Sequence, residues 1–433
     1  MDQPVARQDP IELLTRQEAA RLSWLVPVRH SRMAENPFAF FRGAAAVMAA
    51  DLARKPSSGL MVQLCGDAHL LNFGFFCSPE YQLLFDINDF DETHPGPFEW
   101  DVIRLATSFI LAARSLGCSE KEQSKVCRSG VRAYAEAMAE FAGMRFEDIW
   151  VPNPALQHLI DERTKGSLRA HLKKLAAMAL QRNSRQAVRK LCEVDNNGTL
   201  LFRHQPPLLW RYSLLPPEAL AGMDWQHRLN VIYAEYLASV RPDVRRYLSE
   251  FRMSDAAFKA VGVGSVGTQC GIHVFMGVHP EDVLVLQSKQ AEPSVLAPYV
   301  NGDNQVPAHQ GQRVVEGQRL MQTASDPFLG WTTTPEGTQL YWRVFRDWKA
   351  SVDVNELDVE GLKDYGKLCA LTLAKSHARS GDRKKIHAFI HDPKMFATTI
   401  YEQAIENADL AEQDHKALLQ AIADGRLEAS MVY

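Results

Sequence analysis

The sequence predicts an α+β protein of two lobes, a small one built on an antiparallel sheet and a large, mostly helical one. Three observations point there. Apolar residues recur at helical spacing over 98–113, 120–141 and 359–377. Between Ser254 and Trp348 that period gives way to strand-type runs punctuated by Gly and Pro. The length, 433 residues of which 46% are hydrophobic, is enough to bury more than one core. On these changes of character the chain divides into four parts. Residues 1–150 carry the acidic loops of the helical lobe, 151–253 a helical insertion, 254–348 the sheet lobe, and 349–433 helices that complete the large lobe.

Composition narrows the function. A net charge of -4 argues against a dedicated nucleic-acid binder, which needs a basic imbalance. The seven cysteines are scattered with no Cys-x-x-Cys pair, so reduced thiols are expected rather than a disulfide framework or structural zinc. Residues 1–7 lack the apolar stretch of a signal peptide, and no run reaches the ~18 apolar residues of a membrane span. A soluble, cytoplasmic protein with no membrane partner is expected.

Residues 10–26 read as a first helix. The run Pro37-Phe38-Ala39-Phe40-Phe41-Arg42-Gly43 leads into an Ala-rich helix ending near Ala53. Its phenylalanines are expected in the core, whereas Arg42 beside them is a candidate partner for an anion or a buried carboxylate. Next come Cys65-Gly66-Asp67-Ala68-His69-Leu70-Leu71-Asn72 and Asp86-Ile87-Asn88-Asp89-Phe90-Asp91. Between them, Phe73-Gly74-Phe75-Phe76 and Leu83-Leu84-Phe85 read as a hairpin around a Ser78-Pro79-Glu80 turn. Such a hairpin would bring Asp67, Asn72 and Asp89 within reach of one divalent ion. A few hard oxygen ligands suit magnesium shared with substrate phosphates.

A Pro95-Gly96-Pro97 loop precedes the helix opening at Phe98, with Asp101 in its first turn, where the helix dipole favours negative charge. Residues 163–203 carry ten Lys or Arg against only Glu193 and Asp195. They read as helical, either a solvated face or a surface for an anionic partner. Another helix is expected over 226–248.

Past Ser254 lies Gly262-Val263-Gly264-Ser265-Val266-Gly267. A dinucleotide fold would need a helix next. Instead Ile272-His273-Val274-Phe275 alternates, and Val283-Leu284-Val285-Leu286-Gln287-Ser288-Lys289 makes another strand. Glycines at a hairpin bend, with Lys ending the next strand, form the lid that protein kinases lay over ATP phosphates. A helix over 313–321 offers Glu316 as the partner of Lys289, with Glu292 as its rival. Strands are expected at 331–334 and 340–346, and helices from Val359 onward.

Gly66-Asp67 with His69 and Asn72 resembles the catalytic loop of aminoglycoside phosphotransferases and other kinase-like enzymes. Asn88-Asp89-Phe90-Asp91 is similar to their metal-binding Asp segment, and Pro97-Phe98-Glu99-Trp100-Asp101 to the stretch that opens their next helix. Over most of its length, the chain resembles the bacterial DUF2252 family. The residues that carry this are Phe85-Asp86-Ile87-Asn88-Asp89-Phe90-Asp91-Glu92, Phe40-Phe41-Arg42-Gly43 upstream and Gly262 to Gly267 downstream. The resemblance implies a protein-kinase-like fold, ATP and Mg2+ as cofactors, and phosphoryl transfer to an acceptor hydroxyl. It makes Asp67 the catalytic residue, with His69 supporting the loop. Asn72 and Asp89 would hold the metal, assisted by Asp91 or Asp86. Lys289, steadied by Glu316, would neutralise the phosphates, and the backbone of Gly262, Gly264, Ser265, Val266 and Gly267 would cover them.

Two departures accompany the resemblance. In ordinary kinases the glycine loop, Lys and Glu precede the catalytic loop, and here they follow it. That order implies a circular permutation, in which the 357–377 helix is the one that would otherwise run straight into the catalytic loop. The position two before Asp67, commonly His, is Cys65.

Other activities fit the same residues. Asp67, His69, Asp86, Asp89 and Asp91 could surround two ions as a metal-dependent hydrolase. A nucleotide-binding regulator without transfer, or a nucleotidyl transferase, would keep the lid and the lysine. The expected partners are a nucleotide and an acceptor, small molecule or protein, possibly anionic.

Overall fold

The structure, a computed structural model, describes residues 6–80, 82–151, 166–180, 183–206, 208–215, 223–259, 266–279, 281–300, 306–345 and 350–430. Within them the protein is a mixed α/β fold with small antiparallel sheets. Gly262, Gly264 and Ser265 of the glycine-rich turn lie outside the described residues.

The first strands are β1 (Met61–Leu64), β2 (Phe73–Cys77), β3 (Leu83–Ile87) and β4 (His94–Pro97). The expected hairpin is β2 against β3, with Gly74 opposite Asp86, while β1 pairs with β4. Together they hold the 65–72 and 88–93 loops side by side. The small strands β5 (Cys192–Val194) and β6 (Leu200–Phe202) pair with each other.

The largest sheet contains β7 (Leu209–Arg211), β8 (Arg252–Lys259), β9 (Cys270–Met276), β10 (Val283–Gln290), β11 (Gly330–Thr333) and β12 (Gln339–Val344). Their order across the sheet is β11-β12-β10-β9-β8-β7, every neighbour antiparallel. A last short strand, β13 (Ala350–Ser351), adds to β2. On one face of the large sheet Trp342 stacks on Tyr236 at 4.6 Å and on His273 at 4.4 Å, centring a core with Phe275, Leu284 and Leu286. The helix Gln310–Met321 packs on β11 and β12.

The helical part is centred on Phe98–Ser115, which is buried almost all the way round because Glu120–Gly143, Val359–Ser380 and Pro393–Ala423 surround it. Glu120–Gly143 starts with a capping box between Ser119 and Glu122, so its first orphan N–H groups are satisfied locally. The end of Val359–Ser380 abuts β1, where the Gln63 N–H donates to Ser380 Oγ at 3.2 Å.

Three element boundaries differ from the sequence reading. The helix expected over 10–26 is broken into Pro10–Glu18, a short turn at Ser23–Leu25 and Val26–Ala34. The cause is tertiary: the Leu22 N–H is taken by the Gly267 carbonyl at 2.7 Å, which pulls the chain out of helical register. The helix expected over 226–248 is two helices, Trp225–Ser239 and Pro242–Leu248, because Pro242 cannot donate into a continuing ladder. Within its described residues the basic stretch is helical over Gly166–Leu180 and Ser184–Leu191 before it turns into β5 and β6. All seven cysteines are buried thiols. Among the described residues no helix is long and apolar enough to cross a membrane.

Candidate functional site

A cavity of about 590 Å³ opens where the loops beside the hairpin meet the large sheet and the first helices. Its wall combines the carboxylates Asp67, Asp89 and Asp91 with the guanidinium groups of Arg21, Arg42 and Arg343. Such mixed charge suits a ligand that brings both anions and cations.

The 65–72 loop is held from beneath. Asp101, in the first turn of Phe98–Ser115, accepts the N–H groups of Cys65 at 2.7 Å and Gly66 at 3.0 Å. Gly66 has φ +81°, and a Cβ there would meet the Glu92 carbonyl oxygen at 2.2 Å, so both conformation and space require glycine. His377 sets its Nε2 3.3 Å from Asp101 Oδ2, and its Nδ1 meets Tyr134 Oη at 2.8 Å.

Asp67 projects from this loop into the cavity. Arg104 donates Nε to its Oδ1 at 2.7 Å, and is itself fixed by the Phe41 carbonyl at 3.0 Å and by stacking 4.2 Å over the Phe41 ring. His69 Nε2 lies 3.6 Å from the other Asp67 oxygen. Burial lowers the His69 pKa to about 4, so at neutral pH the ring is uncharged. Its Nδ1 accepts the Leu71 N–H at 3.1 Å, which leaves the ring proton on Nε2, facing Asp67.

Asn72 straps two loops together. Its amide nitrogen donates to the Asp67 and Asp89 carbonyls at 3.1 and 3.0 Å, and its Oδ1 accepts the Asp89 N–H at 2.8 Å. A metal on Asn72 would have to share that oxygen with a backbone donor. Asp89 is the more available ligand, its side chain 42% exposed.

Cations from the large sheet stand behind these carboxylates. Lys289 on β10 is only 2% exposed, and its Nζ pairs with Asp91 and lies 3.3 Å from Asp89 Oδ2, across a sequence separation of 200 residues. Burial opposes its charge, but Asp89 and Asp91 outweigh that and hold it above the ordinary lysine range. Tyr341, opposite Lys289 in the sheet, donates Oη to Asp91 Oδ1 at 2.7 Å. Arg343 Nη1 lies 3.9 Å from Asp89 Oδ1.

Two expected partners lie elsewhere. Glu316 does not reach Lys289: it is exposed and accepts from Gln312 Nε2 at 2.7 Å, because the buried stripe of its helix runs through Val314, Gly317, Gln318 and Met321. Glu292, the rival, is exposed as well and accepts from the Gln290 side chain. Arg313, from the buried side of the same helix, reaches the acidic loop instead, donating to the Asp91 carbonyl at 2.9 Å and to the Thr93 carbonyl. Asp86 is buried in β3 away from the cavity wall, accepting from Thr323 N at 3.2 Å, with Lys375 and Arg379 as its nearest cations. At the end of the glycine-rich turn, the Val266 and Gly267 carbonyls bond Arg21 and Leu22, while Thr268 faces the cavity.

Arg104, Tyr341 and Arg313 were not singled out by the sequence. For Arg104 a signal existed: an arginine on the buried face of an apolar helix needs a buried acceptor.

A family model described as "Uncharacterized protein conserved in bacteria (DUF2252)" matches residues 21–421. No curated protein and no solved structure matches the chain.

Proposed function

From the premise that this chain belongs to the bacterial DUF2252 family, we propose that it is an ATP- and magnesium-dependent phosphotransferase with a circularly permuted, kinase-like fold. The observation that carries the reading is the pairing of the buried Lys289 with Asp89 and Asp91, two carboxylates that line the cavity. A lysine beside an acidic loop, on the strand that follows a glycine-turn hairpin and precedes a helix on the same sheet, is how kinases surround a triphosphate. The permutation is supported by the end of Val359–Ser380 abutting β1, the strand that leads directly into the 65–72 loop.

Among the described residues no group of three or more Asp, Glu, His or Cys side chains is arranged to hold a metal ion. Magnesium would be held by Asp89 and Asp91 with the Asn72 oxygen adjacent, a small hard-oxygen set that suits an ion shared with substrate phosphates. When bound, the ion would supply positive charge to the phosphates. The rest falls to the chain. Lys289 turns from its acidic partners toward the phosphates it neutralises. Asp67, aimed by Arg104, orients the acceptor hydroxyl and takes its proton. Neutral His69 lies beside the second Asp67 oxygen, 3.6 Å away. Phosphoryl transfer asks mainly for positioning and charge compensation, which these contacts provide. The position of Asp86 outside the cavity wall speaks against the two-ion hydrolase.

Calorimetric titration with a non-hydrolysable ATP analogue, with and without magnesium, tests the reading. Magnesium-dependent binding that is lost in Lys289→Met and Asp89→Asn is expected. Absence of heat under both conditions overturns it.

A further inference from the structure

The cavity is lined by arginines that the proposed nucleotide site does not use. Behind the wall, Lys289 is paired with Asp89 and Asp91, and Arg104 with Asp67. Arg42, recessed in the wall, makes no hydrogen bond with any described residue, and its Nε is buried without a partner. Arg21 is tied by one nitrogen to the Val266 carbonyl at 2.5 Å, and its Nε is likewise buried and unpartnered. Arg16 stands exposed on the same wall.

An unpaired, partly desolvated guanidinium costs stability unless something else repays it. Burial lowers the Arg42 pKa from its ordinary value, with Asp67 the chief opposing influence, so Arg42 lies electrically close to the proposed catalytic carboxylate. Its position is also fixed. The carbonyl before it, Phe41, is held by Arg104 at 3.0 Å, and the carbonyl after it, Gly43, by the buried Arg29 at 2.6 Å. Arg42, fixed through its neighbouring carbonyls, with Arg21 on the same wall between Val266 and the Glu92 and Asp91 carboxylates and Arg16 at the rim, matches a dianionic, tetrahedral group better than a single carboxylate.

We propose that the acceptor is a small phosphate monoester, its phosphate held by Arg42 and Arg21 with Arg16 at the rim, and its hydroxyl beside Asp67. This deepens the phosphotransferase reading and rests on it.

Glycerol 3-phosphate, glycerate and glycerol serve as probes in calorimetry, alone and with the magnesium-bound ATP analogue. Glycerol 3-phosphate is expected to bind the wild-type protein, with glycerate at least tenfold weaker and glycerol silent. Arg42→Gln is expected to weaken the phosphate probe by about tenfold to a hundredfold while the ATP analogue binds within about twofold of wild type. Arg42→Lys is expected to restore part of the loss, and exposed Arg16→Gln to give a smaller one; melting curves establish that each variant is folded. No binding of glycerol 3-phosphate to the wild type, equal binding to Arg42→Gln, or preference for glycerate overturns the proposal. So does a loss of ATP-analogue affinity in Arg42→Gln, which assigns the arginine to the nucleotide. If the phosphate probe behaves as expected and no ATP analogue binds, the phosphotransferase reading fails while the anion site stands.

Discussion

His377 and Asp101, far apart in sequence, meet at 3.3 Å beneath the 65–72 loop, and the same carboxylate carries the N–H groups of Cys65 and Gly66. One buried acid therefore couples a C-terminal helix to the loop that bears Asp67. Asp101→Ala leaves two buried N–H groups and an imidazole without an acceptor. The expected cost is about 2–4 kcal/mol in denaturant unfolding, with a loss of turnover even where the variant stays folded. A change under ~0.5 kcal/mol would show that the bracing is idle.

Asp89 and Asp86 sit on one short segment in opposite surroundings. Asp89 is exposed to the cavity beside Lys289, whereas Asp86 is buried against Thr323. Asp89→Asn should lower magnesium-dependent turnover by several orders of magnitude with little change in melting temperature. Asp86→Asn should leave turnover within about threefold. Burial already raises the Asp86 pKa, so the neutral amide is tolerated there. The reverse ranking, measured as ADP release, would favour the hydrolase cluster.

The helix Gln310–Met321 separates two residues that composition alone cannot rank. Arg313 donates to the carbonyls of Asp91, Thr93 and Glu292, whereas Glu316 faces solvent. Arg313→Met should weaken nucleotide-analogue affinity at least tenfold by loosening the acidic loop, and should lower stability by about 2–3 kcal/mol. Glu316→Gln should change neither. A Glu316 variant that loses nucleotide affinity would restore the lysine–glutamate pair expected from sequence.

These contrasts mark what was legible in the chain. The 65–91 hairpin, the strand ending in Lys289 and the long helices follow from local pattern, because period and turn chemistry depend only on near neighbours. The proximity of Lys289 to Asp89 was accessible through a resemblance and not through pattern. Arg313 and Tyr341 were invisible, since each acts through an acceptor set by tertiary packing, whereas Arg104 showed its need for a buried acceptor but not which acceptor it finds. Glu316 was misjudged for a readable reason: Val314, Gly317, Gln318 and Met321 already define the buried stripe, and Glu316 falls off it. The break in the first helix was not readable, because its cause is a carbonyl at Gly267.

Glu92 gives the site a pH signature. It is half-buried on the cavity wall, its carboxylate accepting the Val295 N–H at 2.8 Å. Burial, followed at a distance by Asp91 and Asp67, raises its pKa from 4.5 to about 7. A carboxyl group whose folded pKa exceeds its unfolded value binds more protons in the native state between those two values. Its contribution to stability is therefore complete below pH 4.5 and is lost as pH rises through about 7. Glu92→Gln keeps the shape and cannot ionise. The variant should match the wild type near pH 4.5 and exceed it near pH 8 by on the order of 1–3 kcal/mol, allowing for partial exposure. Denaturant unfolding of both proteins from pH 4.5 to 8.5 reads this directly, and the difference between the curves isolates Glu92 from buried histidines such as His69, whose effect has the opposite sign. A flat difference, or one that grows toward acid, would place the Glu92 charge in water and remove it from the cavity electrostatics.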